Sequence, residues 1–210
     1  MILAIEGPSA VGKTTWCRVH FPESRVPEAP QDIDAPNHRY AEPGAVADFW
    51  VNYNIEAWQT ALRLERGTGI AVCDSDPLHL YYSWALWKSS AIGPALFELE
   101  LPLYRRALEQ FRLGFADRVL TLDAPVTELR RRAQADATRR RRQHETHLGL
   151  IPWMRAWFHT RERVLPGTVR AWTDDLPVRD LVSSAPLPQR YDPAIFDRIV
   201  EELGGRPTDI

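Results

Sequence analysis

The feature that most restricts the fold of this chain is GPSAVGKT, Gly7 to Thr14, a Gly-x-x-x-x-Gly-Lys-Thr run. It lies between the apolar stretch ILAIE and a stretch with helical spacing. Glycine at both ends lets the backbone turn sharply from a buried strand into a helix. Such a turn aims several backbone N–H groups and the positive end of a helix dipole at one spot, with room for phosphate oxygens to approach. Lys13 then adds a point charge at the β- and γ-phosphates, and the Thr14 hydroxyl is suited to hold Mg²⁺.

The rest of the chain alternates strand and helix periods. Ile2 to Glu6 and Ser24 to Glu28 read as strands around a helix from Gly12 to about Phe21. Pro27, Pro30, Pro36 and Pro43 mark an irregular stretch, and Gly44 to Arg66 is helical until Gly67 and Gly69 stop it. Gly69 to Asp74 reads as a buried strand, followed by helices from about Leu78 to Ser89 and from Pro94 to Phe111. Asp117 to Asp123 is a further strand, with a helix from about Val126, an arginine-rich segment and a helix from about Pro152 to Val164. Gly167 to Thr173 is the last strand and Pro193 to Leu203 a closing helix. This order predicts a parallel sheet covered on both faces, and 210 residues without a long linker or repeat predict one domain.

Charge and cysteine content narrow the function. A net charge of -2 offers no global reason to expect nucleic acid as a partner. Cys17 and Cys73 are too few for a disulfide framework or a four-thiolate zinc site, and no apolar run is long enough to span a bilayer. The N-terminal residues carry no basic, apolar, small-residue leader pattern, so a cytoplasmic location is expected. Of 26 basic residues only Lys13 and Lys88 are lysine, and Lys88 sits in WKSS, outside any Asn-Lys-x-Asp base-recognition motif. A GTPase is therefore disfavoured. A Leu-Ser-Gly-Gly signature is absent too, which leaves phosphoryl transfer to a small molecule as the leading class.

Three further segments join the loop. VPEAP places Glu28 at a strand end, AVCDSDP places Asp74 at the corresponding end of the next, and LRRRAQADATRRRRQHE puts seven arginines between Arg130 and Arg142. In an open parallel sheet, ligands collect at the carboxyl ends of the strands. With TLDAP, and in this order over most of the chain, these segments resemble the thymidylate kinase and deoxynucleoside kinase group of P-loop kinases. The resemblance implies a three-layer α/β fold with a five-stranded parallel sheet and an arginine-rich lid at about residues 130–148. It implies ATP bound by Gly7, Ser9, Ala10, Val11, Gly12, Lys13, Thr14 and Thr15, with Mg²⁺ held by Thr14 and Asp74. Glu28 would be the base near the acceptor hydroxyl, and Arg139 and Arg142 would neutralise charge on the transferred group. Phosphoryl transfer is limited by positioning, metal and cations rather than by covalent chemistry, which agrees with such a set.

The chain also departs from the pattern. Thymidylate kinases carry arginines beside the Glu-Pro glutamate and in the Asp-Arg motif, where they hold the acceptor's phosphate, and here Pro27 and Ser75 stand there. A neutral hydroxyl on a nucleoside, or on a nucleoside- or sugar-like natural product such as an antibiotic, matches better than a monophosphate. A nucleoside monophosphate kinase and an ATP-binding regulator docking RNA or protein through the arginine segment are the competing readings. Each residue also has a plainer role: Glu28 as a solvated strand end, Asp74 as a helix cap, the arginines as a solvated face. Trp50, Tyr53, Trp84 and Trp87 are candidates for an acceptor pocket or for core, and His144 and His147 are expected to be solvated. Asp76 and Asp34 are reserve candidates for the base. The oligomeric state is open, a homodimer included.

Overall fold

Every residue of ILAIE is buried, and the two sides of the strand face different clusters. Ile2 and Ala4 pack into one apolar cluster and Leu3 and Ile5 into another. This two-sided burial is why the strand reads as a continuous apolar run rather than an alternating one. The computed structural model of the chain describes residues 1–30, 33–36, 41–137, 143–173, 176–178 and 185–204. Among them β1 (Ile2–Glu6), β2 (Arg25–Val26), β3 (Ala71–Asp74), β4 (Arg118–Thr121) and β5 (Val169–Ala171) form a five-stranded sheet in the order β2-β3-β1-β4-β5, every pairing parallel.

The helices are α1 (Lys13–His20), α2 (Pro43–Thr68), α3 (Tyr81–Lys88), α4 (Ala95–Glu109), α5 (Val126–Ala135), α6 (His144–Gly149), α7 (Ile151–Val164) and α8 (Pro193–Glu202). Side chains from α2, α3, α4, α7 and α8 fill the larger cluster, with Trp58, Trp84, Trp157 and Phe97 at its centre. Trp16 and Cys17 of α1, Leu129 of α5 and Leu148 of α6 fill the other. Thus helices cover both faces of the sheet, as the alternation of periods predicts. Local chemistry marks the helix ends. Gly69 takes a left-handed φ of 83° and closes α2 with its N–H on the Glu65 carbonyl at 2.8 Å. Asp192 accepts the Ala194 N–H at 2.8 Å to start α8, with Pro193 in its first turn.

Two differences from the sequence reading bear on the site. The second strand is shorter than Ser24 to Glu28, pairing only at Arg25 and Val26, because Pro27 has no N–H to give the ladder. That leaves Glu28 just beyond the sheet. The six-residue helix α6, which follows the arginine run, was not expected, being too short to show a period. No helix among the described residues is long and apolar enough to cross a membrane.

Candidate functional site

The loop from Gly7 to Gly12 takes the shape that its glycines allow. Gly7, Ala10 and Gly12 have φ of 149°, 70° and 108°, and Gly12 is the N-cap of α1 without any side-chain cap. The N–H groups of the first turn of α1 are therefore left for a ligand rather than for a capping side chain. Gly7 also has no space for a side chain: a Cβ there would lie 2.4 Å from the Leu122 carbonyl oxygen at the end of β4. Val11 is anchored in the core, Ser9, Ala10, Gly12, Lys13 and Thr14 are partly exposed, and Thr15 is exposed. Lys13 Nζ donates to the Gly7 carbonyl at 3.0 Å, folding back over the loop.

Parallel pairing brings the carboxyl ends of β1, β2 and β3 to one edge, Ile5 beside Asp74 and Val26 beside Cys73. Asp74 sits against the loop. Burial raises its pKa, and a hydrogen bond from the Thr14 hydroxyl works against that rise, while Glu28 adds to it. Its Oδ2 faces Arg25 Nη1 at 3.4 Å, and its buried Oδ1 has no hydrogen-bond partner. Glu6, the last residue of β1, is fully buried beneath this edge. It accepts the Asp76 N–H at 2.7 Å and the Tyr81 hydroxyl at 3.0 Å, and burial pushes its pKa up to about 7. His79 Nδ1 stands 3.8 Å from Glu6, and desolvation pushes its imidazole down to about 4, so it is neutral at ordinary pH.

Beside the loop opens a cavity of about 470 Å³. Glu28, Asp74, Asp76 and His79 line it on the sheet side, Trp50 and Tyr53 from α2, and Leu86 and Leu96 from α3 and α4. Its floor is polar. Asn54 Nδ2 donates to the Tyr104 hydroxyl at 2.6 Å, and Ser83 Oγ lies 2.5 Å from Glu100 Oε2. Among the described lining residues there is no Lys or Arg.

The sequence-derived candidates fall into groups. Glu28 and Asp74 both line the cavity, and Asp74 also joins it to Thr14. Asp76 is held in a buried ion pair with Arg161 Nη1 at 2.7 Å and also caps the Leu78 N–H at 3.1 Å, which occupies it structurally. Asp34 is exposed. Trp50 and Tyr53 line the cavity, whereas Trp84 is core and Trp87 stacks on Phe97. His147 is not simply solvated: it lines the cavity and its Nε2 lies 3.0 Å from the Tyr82 hydroxyl. Arg139 and Arg142 lie outside the described residues. The described arginines of that run are largely paired within the protein. Arg130 makes a two-pronged bridge to Glu145 at 3.0 and 2.8 Å, and Arg131 and Arg132 both bind Glu128. Arg132 Nη1 also donates to the Val11 carbonyl at 2.8 Å, tying α5 to the loop.

Sequence reading missed Glu6, Arg25, His79, Asn54, Ser83, Glu100 and Tyr104. For two of them a signal was available. Phe97, Glu100, Tyr104 and Ala107 recur at helical spacing on the buried stripe of α4, and Val51, Asn54, Trp58 and Ala61 do so on α2. A polar residue on an apolar stripe demands either a partner or a ligand.

Glu100 yields a test. It is 5% exposed, and burial pushes its pKa up to about 8, opposed only partly by the Ser83 hydrogen bond. A carboxyl raised in the folded state holds its proton longer there than in the unfolded chain. The stability from the neutral carboxyl is therefore full below the ordinary carboxylate range and is lost as pH rises towards about 8. Glu100→Gln removes this loss, so the melting temperature of the variant relative to wild type is expected to climb between about pH 5 and pH 8, by the equivalent of a few kcal/mol. A difference that stays flat across that range would show that Glu100 keeps an ordinary pKa.

No protein-family model and no curated protein matches the chain. Solved structures do. Deoxyadenosine kinase from M. mycoides with products dCMP and a flexible dCDP bound is 13% identical, covers 87% of this chain and 95% of its own, and superposes with a TM-score of 0.56. The same enzyme with bound dATP is 13% identical over the same shares, with a TM-score of 0.58. At that identity the likeness speaks for the fold: this chain, with its five-stranded parallel sheet between helices, shares the fold of these deoxyadenosine kinase structures.

Proposed function

We propose that this protein is an ATP- and Mg²⁺-dependent kinase, one domain with a lid at about residues 130–148, that phosphorylates a hydroxyl of a small molecule. The observation that carries the reading is the meeting, at one sheet edge, of the Gly7–Thr14 loop with a cavity lined by Glu28 and Asp74 and by no described Lys or Arg. The deoxyadenosine kinase fold, described with nucleotides bound, supports a nucleotide on the loop.

Loop N–H groups and Lys13 hold the β- and γ-phosphates. Thr14 and the unpartnered Asp74 Oδ1 are hard oxygen donors suited to Mg²⁺. Bound Mg²⁺ neutralises charge on the phosphate oxygens. Glu28 takes the proton of the acceptor hydroxyl while that oxygen bonds to the γ-phosphorus and the bond to the bridging oxygen of ADP breaks. Arg139 and Arg142 supply cations from the lid. A monophosphate acceptor brings negative charge into a cavity whose described lining has carboxylates and no cation, so a hydroxyl on a neutral or cationic molecule is favoured, as in a nucleoside or a sugar-like natural product.

An acceptor screen with ATP and Mg²⁺, covering nucleosides, nucleoside monophosphates and hydroxylated antibiotics, tests this. Product carrying a new phosphoester and stoichiometric ADP is expected from hydroxyl acceptors only. Turnover confined to monophosphates would overturn the hydroxyl reading, and failure to bind ATP would overturn the kinase reading.

A further inference from the structure

Glu100 is a buried carboxyl lining the acceptor cavity that no catalytic step above uses. Its neighbours in the lining have counter-ions: Asp76 has Arg161 at 2.7 Å and Asp74 has Arg25 at 3.4 Å. Glu100 has none among the described residues, where Ser83 is its hydrogen-bond partner. Ser83 Oγ lies 2.5 Å from Glu100 Oε2 and 3.2 Å from the Leu80 carbonyl, and a hydroxyl has one proton to give. Ser83 either shares that proton between the two acceptors or gives it to Leu80, and in the second case Glu100 carries a proton on Oε2 and donates it to Ser83. Oε1 then carries lone pairs alone and can only accept, on a side chain that lines the cavity.

We propose that Glu100 determines acceptor specificity by receiving a basic amine on the hydroxylated substrate, an inference that rests on the kinase reading above. An ammonium group both donates to Oε1 and provides the counter-ion that an ionised Glu100 needs, whereas an amide or hydroxyl only donates. On its arrival Glu100 gives its proton to solvent, and Ser83 turns its own from Leu80 to Oε2. Trp50 and Tyr53 in the same lining offer aromatic faces that tolerate a cation, and Leu86 and Leu96 take the hydrocarbon body. The substrate class is thus a hydroxylated amine, such as an amino sugar, an aminocyclitol or an amino-substituted nucleoside.

Direct titration with two probes of equal shape, cyclohexylammonium and cyclohexanol, tests the site without any phosphoryl transfer. In wild type the amine is expected to bind about tenfold or more tighter than the alcohol. In Glu100→Gln, which keeps the shape of the side chain, and in Glu100→Leu, that preference is expected to vanish while ATP binding is unchanged; thermal melts verify folding of each. Equal binding of the two probes by wild type, or a preference that survives in a folded Gln or Leu variant, overturns the assignment. If the preference is found and no hydroxylated acceptor is phosphorylated, the kinase reading fails and the amine site stands. If acceptors are phosphorylated and the preference is absent, the Glu100 assignment fails and the kinase reading stands.

Discussion

Lys13→Ala is expected to lower phosphoryl transfer by about 10³-fold or more while the protein stays folded. The residue is partly exposed at the start of α1 and makes a hydrogen bond to the Gly7 carbonyl rather than a core contact, so removing it opens no cavity. What is lost is a fixed positive charge where charge develops on the transferring phosphates, an effect concentrated in the transition state. A secondary effect follows from electrostatics. Lys13 is the largest influence holding the Glu6 pKa down against burial, so the variant should bind a proton at Glu6 more readily. Steady-state kinetics beside a thermal melt check both parts. Near-wild-type turnover by a folded variant would remove the kinase reading altogether.

Glu28→Gln divides the two acceptor classes. A carboxylate just beyond a strand end can accept a hydroxyl proton and orient the oxygen for in-line attack, while a phosphate acceptor arrives already ionised. For a hydroxyl acceptor the substitution keeps size and reach but removes basicity, and kcat is expected to fall by about 10²- to 10⁴-fold with ATP affinity barely changed. For a monophosphate acceptor kcat would stay and the acceptor KM would move. The structure shortens the list of substitutes for Glu28. Asp76 is bound to Arg161 and to the Leu78 N–H, and Asp34 is exposed, so Asp74 is the remaining candidate from the sequence. Unimpaired kcat with a verified hydroxyl acceptor would transfer the role of base to Asp74. Nucleotide titration together with initial rates on the Gln variant separates these outcomes.

The fold was legible because its signals are local. Gly7, Gly12 and Lys13 write a strand-to-helix turn within a few residues, and each buried strand announces itself as a short apolar run between breakers. Element ends shifted by only a few residues between expectation and structure. The shortening of β2 at its C-terminal end has its cause in one residue, Pro27, whose missing N–H ends the ladder. Helix α6 escaped because six residues span fewer than two turns, too little for a hydrophobic period to show.

The site was half legible. Glu28 and Asp74 could be found because strand ends in a parallel sheet share an edge, so strand order alone brings them near the loop. Glu100, Asn54 and the Asp76–Arg161 pair could not be assembled this way. Asp76 and Arg161 are 85 positions apart, and Glu100 and Ser83 sit on different helices. By itself, then, the sequence determined the strand-to-helix turn at Gly7 to Thr14, the parallel sheet and which carboxylates stand at its edge. Only the tertiary structure decided which of those carboxylates is neutralised by an arginine, and which of them borders empty space. Periodicity tells which stripe of a helix turns inward, but charge state and the shape of a cavity depend on what packs opposite that stripe.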